Sequence, residues 1–419
     1  MINRREFLGK TAGAIAAAST LSSVGTLSAF GEPRRVAPSD QINLGIIGPG
    51  SRGQTDLLAF LRVPGVRIAA MCDVYEPRFD QVRKITGEQI PAFKDYRQLL
   101  DFKGLDAVIV ATPPCFHEEH VVATVQSGRH VYAEKDMALT VDACDRIVAA
   151  VKRSGKFYQI GTQYHYAPWY QEALRRIHSG KLGEVTHIYA YWHRNSNWRR
   201  PVPDPKDAAL EQLINWRLYK KCSGGLLCEL GTHEANFVNY AFNAIPESVI
   251  GMGDIVYWKD GREVPDNVQA IFRYPGGRTF SFSSITTNRF EGEQIRVYGT
   301  GGTLVLTQTG GMAYYEPAVA NSAVPQALIV EHGVTTGASF AAEIPYNGSG
   351  EVLVVPEGLE GNVNYLAMSS FINCLRNNTR PSADERAGWN SGVTIALGNL
   401  AISSGQRVNF ADHIKPQAL

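Results

Sequence analysis

Between residues 41 and 162 the apolar residues fall in short, β-branched runs, at 42–47, 66–72, 107–111, 130–133 and 157–160. Between these runs lie stretches of helical pattern, at 53–61, 76–87, 96–100, 118–127 and 140–154. That alternation predicts a doubly wound α/β domain, a parallel sheet flanked by helices. Past residue 161 the pattern changes to longer alternating strands, at 185–192, 248–256, 268–274, 279–284, 293–299 and 303–306. Two helical patterns follow, at 365–377 and 387–405, and are expected to brace the first domain. Helices with longer, alternating strands predict a second, α+β domain over 163–419. The stretch 313–361 shows no readable periodicity.

At 419 residues the chain is too long for one core of ordinary size, which agrees with two domains. Lys and Arg total 41 against 40 Asp and Glu, so no charge excess is available to hold nucleic acid or an anionic membrane. The expected partner is a small molecule or another copy of the chain. The six cysteines, at 72, 115, 144, 222, 228 and 374, lack metal-ligand spacing, and most read as small buried residues rather than disulfides. No metal site is expected.

Residues 1–31 stand apart. Arg4-Arg5-Glu6-Phe7-Leu8 followed by a stretch rich in Ala, Ser and Gly resembles a twin-arginine signal, which implies export of the folded protein to the periplasm or cell exterior. Serine, threonine and glycine dilute that stretch well below a spanning helix, so no membrane anchor is expected.

The first candidate chemistry sits in "LGIIGPGSRG". A strand runs directly into Gly48, Gly50 and Gly53, with Ser51 and Arg52 opening the next helix. In that setting Gly48 permits a sharp turn, Gly50 lets the main chain approach a pyrophosphate, and Gly53 lets helix and strand pack closely. Asp73, at the end of the next strand, suits the adenosine ribose and favours NAD over NADP; Arg78 nearby weakens that preference. "ATPPCFHEEH" places Thr112 and Pro113 at the carboxyl ends of the strands, where open α/β sheets bind ligands, with His117 and His120 as further cofactor candidates.

In the second domain, "NWRRPVPDPKD" must be an irregular loop. Its Trp198, Arg199 and Arg200, with His193, suit a sugar site, and Gln163, Tyr164, Tyr166 and Trp169 fall where a substrate mouth is expected. "SGGLLCELGTHEANFVNY" sets Glu229 and His233 four residues apart, which predicts that both project from one helical face, with Asn236 and Asn239 further along.

"VYAEKDMALT" carries the strand, the Glu134-Lys135 pair and the following helix of a known pattern. With GPGSRG, TPPxxH and the glycine-rich acid-x-x-x-His motif at Glu229 and His233, the chain from about 42 to 410 resembles the glucose-fructose oxidoreductase, inositol dehydrogenase and rhizopine-catabolism (Gfo/Idh/MocA) family. The resemblance implies an N-terminal Rossmann domain over 41–162 and an open, mostly antiparallel sheet in the C-terminal domain that commonly mediates oligomers, here a homo-oligomer such as a dimer or tetramer. It implies a nicotinamide cofactor beside Glu134 and Lys135, and a carbohydrate substrate between Lys135 and His233. His233 would then move the hydroxyl proton, Lys135 would hold the alcohol oxygen, and Glu229 would orient either or grip a neighbouring hydroxyl. Two residues depart from the pattern. Asp136 replaces the usual proline, for which a trans peptide or visible strain is expected, and Glu229 replaces the usual aspartate.

The expected activity is an exported NAD(P)-dependent oxidoreductase of a sugar, glycoside or polyol, with the cofactor held tightly. An alternative is a glycosidase that works by transient oxidation and elimination. A non-catalytic sugar sensor is a third.

Overall fold

The computed structural model describes residues 40–316, 330–331, 334–335, 350–354 and 361–415. The twin-arginine stretch lies outside the described residues. The first domain runs β1 (Ile42–Ile47), α1 (Ser51–Phe60), β2 (Val66–Cys72), α2 (Pro77–Thr86), β3 (Ala92–Phe93), α3 (Tyr96–Asp101), β4 (Ala107–Val110), α4 (His117–Gln126), β5 (His130–Ala133), α5 (Val141–Ser154) and β6 (Tyr158–Ile160). Its six strands form one parallel sheet in the order β3-β2-β1-β4-β5-β6. The strand order reverses beside β1 and β4, so the loops after them border the crevice at the topological switch point. The two-residue strand β3 has no clear run in the sequence pattern.

The second domain holds α6 (Pro168–His178), β7 (Val185–His193), α7 (Ala208–Ile214), α8 (Gly225–Glu229), α9 (Thr232–Phe242), β8 (Ser248–Asp254), β9 (Asn267–Arg273), β10 (Thr279–Ile285), β11 (Glu293–Gly299), β12 (Gly302–Thr307) and β13 (Gly310–Tyr315). The pair β14 (Val330–Glu331) and β15 (Val334–Thr335) follows, then β16 (Glu351–Val352), α10 (Val363–Asn377), α11 (Glu385–Ser404) and β17 (Val408–Asn409). Nine strands make one sheet, β16-β13-β12-β11-β7-β10-β9-β8-β17, antiparallel except between β7 and β10. Period-two alternation decides its faces: in β9, Val268, Ala270 and Phe272 are buried, while Ile271 between them is exposed.

The last two helices join the domains. Ala367, Met368, Phe371 and Ile372 of α10 lie in one core with Leu57 and Phe60 of α1 and Tyr132 of β5. Phe371 meets both Phe60 and Tyr132 edge-on. Full burial of an aliphatic or aromatic side chain of this size contributes about 1.5–3 kcal/mol, so α10 is an integral wall of the first domain. Along α11, Ala387, Trp389 and Val393 enter the core around β4, β5 and α5, while Ile395, Leu397 and Ala401 enter the core under the nine-stranded sheet.

Candidate active site

At the glycine-rich turn the main chain leaves no room for side chains. Gly48 has φ +83°, and a Cβ there would lie 2.7 Å from the Thr112 methyl; one on Gly53 would lie 2.7 Å from the Gly48 carbonyl. Gly50 differs: its φ is −67°, and only the Gly48 carbonyl, at 4.0 Å, would neighbour a Cβ. Gly50 therefore leaves free a space that the protein itself does not fill. No side chain caps the N-terminus of α1, and no acidic residue stands in its first turn, so its amide donors remain available to an anion.

A groove of about 420 Å³ opens here, lined by Gly48, Gly50, Ser51, Arg52, Asp73, Arg78, Thr112, Pro113, Phe116 and His120. Across it stand Arg200, Leu213, Ile214, Trp216 and Arg217 of the second domain. Asp73 accepts a hydrogen bond from the Tyr75 amide at 2.8 Å; burial pushes its pKa up, against that amide and Arg78. These features fit a dinucleotide, with main-chain amides for the pyrophosphate and a carboxylate at the ribose end.

A second cavity, about 550 Å³, adjoins the groove and shares Ser51, Arg52, Thr112, Arg200, Trp216 and Arg217 with it. It brings together Glu134, Lys135, Gln163, Trp192, Arg194, Trp198, Glu229 and His233. Lys135 Nζ donates to the Glu229 main-chain carbonyl at 2.7 Å. Glu229 Oε2 accepts from Arg217 Nε at 2.9 Å, while its Oε1 is buried without a partner among the described residues. His233 is buried, with Nδ1 unpartnered among the described residues and its ring against Tyr164 (5.1 Å between centroids) and Trp192 (5.8 Å). Burial first, and the Lys135 charge second, hold its pKa well below the usual histidine value.

Glu229 and His233 share the cavity without sharing a helix. The chain breaks between α8 and α9 at Leu230 and Gly231, where a Cβ on Gly231 would lie 2.8 Å from the Leu227 carbonyl. The uninterrupted helix read from the four-residue spacing is thereby corrected. The Lys135-Asp136 peptide is cis, where trans is one of the two outcomes expected from the sequence. Asp136 is fully buried; its Oδ1 accepts from Thr232 Oγ1 at 2.6 Å, and burial raises its pKa to about 7.

Other predicted residues are placed differently. His117 lines neither cavity: its ring nitrogens face the carbonyls of Asp136 (2.5 Å) and Thr112 (2.8 Å), so it ties the two loops together instead of touching a ligand. Glu134 is at the cavity wall, paired with Arg52 Nε at 2.9 Å. His193 points to the opposite face of β7 from Trp192, because side chains alternate along a strand; its ring stacks on Tyr191 and its Nε2 meets Ser283 Oγ at 3.1 Å. Tyr164 backs His233 from behind the lining, and Trp169 is buried with its indole N–H on the Thr307 carbonyl. Trp198 and Arg199 do line the cavity, but Arg199 is engaged by Glu211 and Asp260. Asn239 serves the core, bonded to Thr394 and Tyr274.

The pairings of Arg52, and several further lining residues, carry no local sequence signal. Arg52 joins Asp56, Glu134 and Asn364, and so couples the glycine-rich turn to the strand end before Lys135. Trp192, Arg194, Trp216 and Arg217 come from separate segments of the second domain. Cys115 and Cys222 form a disulfide, a pairing the sequence reading did not single out; among the described residues Cys72, Cys144 and Cys228 are free and buried, and Cys374 is free. No local spacing announces a bond across 107 residues.

The fold and the two adjoining cavities define a nucleotide-binding α/β domain carrying a polar second site. Residues 42–162 match the family model described as "Oxidoreductase family, NAD-binding Rossmann fold", and residues 170–305 match the Gfo/Idh/MocA C-terminal domain. The chain therefore carries both domains of the Gfo/Idh/MocA oxidoreductase family. A glycosyl hydrolase family 109 protein of Shewanella pealeana is 30% identical over 237 residues, 52% of this chain and 50% of that protein. The chain thus spans about half the length of the curated relatives it matches. Among solved structures, aldose-aldose oxidoreductase from Caulobacter crescentus, complexed with glycerol, aligns with a TM-score of 0.67 at 20% identity, over 88% of this chain and 99% of that one. Levoglucosan dehydrogenase, complexed with NADH and levoglucosan, gives 0.70 at 16%, over 88% and 99%. The WlbA dehydrogenase from Bordetella pertussis, complexed with NADH and UDP-GlcNAcA, gives 0.66 at 19%, over 88% and 98%. At such identities the structural likeness speaks for the fold.

Proposed function

We propose that this protein is an exported NAD(P)-dependent oxidoreductase acting on a hydroxyl of a sugar, glycoside or polyol. One observation carries the reading: Lys135, Glu229 and His233 share a cavity that adjoins the glycine-rich groove and has wall residues in common with it. A bound nicotinamide would supply the hydride acceptor. His233, kept neutral by burial, takes the hydroxyl proton; the Lys135 ammonium stabilises the developing alkoxide; the unpartnered Oε1 of Glu229 accepts from a neighbouring hydroxyl.

Gly48, Gly50, Ser51, Gly53, Asp73, Thr112 and Pro113 would hold the cofactor. The twin-arginine stretch supports carriage of a resident nucleotide across the membrane in the folded protein. A resident nucleotide needs a second substrate to restore its redox state. The open sheet supports a homo-oligomer. Denaturing the purified protein and identifying the nucleotide released, then following that chromophore in intact protein against a carbohydrate panel, tests the reading. An apo protein whose added cofactor never changes absorbance would overturn it.

The name of the Shewanella relatives favours a second reading, glycosidic cleavage by transient oxidation, elimination of the aglycone and return of the hydride. The same residues serve both. Release of aglycone without net NADH accumulation selects the glycosidase.

A further inference from the structure

The cavity is lined by more cations than its own carboxylates neutralise. Arg52 is matched by Asp56 and Glu134, Arg199 by Glu211 and Asp260, and Arg217 by Glu229. Arg200 reaches the glycine-rich turn, with Nη2 3.2 Å from Ser51 Oγ, and so belongs to the pyrophosphate side. Lys135 is held by the Glu229 main-chain carbonyl, and Arg194 alone among the lining arginines has, among the described residues, neither a carboxylate nor the nucleotide loop. Its Nε is buried without a partner, and its guanidinium lies 5.0 Å from the ring centre of Trp192 and 5.9 Å from that of Trp198.

Glu234, the acidic residue whose charge would bear on Arg194, is fully buried. Burial and the neighbouring Glu293 hold its carboxyl well above the usual range, so it stays protonated and leaves Arg194 uncompensated. A half-buried guanidinium with a buried, unmatched Nε is costly unless a ligand supplies the counter-charge. Its flanking aromatic rings leave the N–H edge for an oxyanion to meet in plane. Trp192 contacts both Arg194 and His233, so the cation sits one aromatic ring away from the imidazole.

We infer that the substrate is an anionic sugar, such as a hexuronate or its glycoside, whose oxyanion pairs with Arg194 between Trp192 and Trp198 while its reacting hydroxyl faces Lys135 and His233. This rests on the proposed oxidoreductase reading for the hydroxyl, but not for the anion.

Binding is measured by quenching of tryptophan fluorescence in the purified protein, with glucuronate and galacturonate, their methyl esters, and glucose and galactose 6-sulfates. Turnover is followed separately by nicotinamide absorbance. At least one acid is expected to bind about 10- to 100-fold more tightly than its ester, the worth of one charge-assisted pair. Arg194→Gln should erase that preference, and Arg194→Lys should keep part of it, which separates loss of charge from loss of fold. Tight sulfate binding together with weak carboxylate binding assigns the oxyanion to a sulfate ester and keeps the pairing. Equal binding of acids, sulfates and neutral sugars, no binding of any, or a preference that survives in Arg194→Gln overturns the inference. If the preference holds while no sugar alters the nicotinamide signal, the anion site stands and the oxidoreductase reading falls.

Discussion

The ammonium of Lys135, at the end of a strand of the first domain, donates 2.7 Å to the main-chain carbonyl of Glu229 in the second domain. The bond crosses the seam between domains and aims a fixed positive charge at the wall that also presents His233. A charge already in place when an alkoxide develops needs no reorganisation at that moment.

Replacing Lys135 by Met is therefore expected to lower kcat by about 10²- to 10³-fold, the usual scale for removing one such electrostatic group. Lys135→Arg keeps charge but not length and should recover part of it. Steady-state kinetics on the substrate found by the panel read this directly; a loss confined to KM would assign Lys135 to binding alone.

His233 and Asp136 give stability opposite pH dependences. The native pKa of His233 lies well below the usual value of about 6.5. Above pH 6.5 neither state is protonated; below it the unfolded chain binds a proton that the native protein refuses, so stability declines on acidification. Asp136 is raised to about 7 from an ordinary 3.8. Its contribution is complete below 3.8 and is lost as pH rises through about 7. Asp136→Asn should thus stabilise more at pH 8.5 than at pH 5, by roughly 3 kcal/mol. Urea unfolding at both values checks this, and an equal gain at each would refute the assignment.

The Cys115–Cys222 bond links the rim segment beside Phe116 with the chain that follows Trp216 and Arg217, all three of which line the nucleotide groove. Closing a loop of this length stabilises by about 4–5 kcal/mol in the chain-entropy treatment. Cys115→Ser and Cys222→Ser should lower Tm and speed exchange of bound nucleotide for labelled nucleotide. Unchanged exchange in a correctly folded variant would confine the bond to stability.

Asp73 lines the groove, where its carboxylate would meet the cofactor's ribose, and Arg78, Lys94 and Arg97 belong to the same lining. Asp73→Ser should shift the cofactor preference toward NADP by about tenfold or more, since it removes repulsion of a 2′-phosphate and leaves the cations. Competitive titration of the two nucleotides measures it. An unaltered ratio would remove Asp73 from cofactor choice.

How much of this was legible follows from the range of each interaction. Gly48, Gly50 and Gly53 announce themselves because strand, turn and helix start are consecutive, and the bounds of β1, β2 and β5 follow from runs of apolar residues. Strands β7 to β12 of the second domain were readable from alternation, which equally decides that Trp192, not His193, faces the cavity, whereas β13, β16 and β17 carry no clear run. Lys135 and His233 were reached through a family pattern and not through spacing. Arg52 with Glu134, Arg217 with Glu229, and Cys115 with Cys222 arise from packing across the two domains, and no local period encodes them.

The rod α11 sinks one end into each domain's core. Neither half could swing away without tearing Trp389 or Leu397 from its surroundings. Entry and exit of small molecules must then rely on local rearrangement at the rim, and a protein cut between its halves would leave two sticky remnants instead of two working modules.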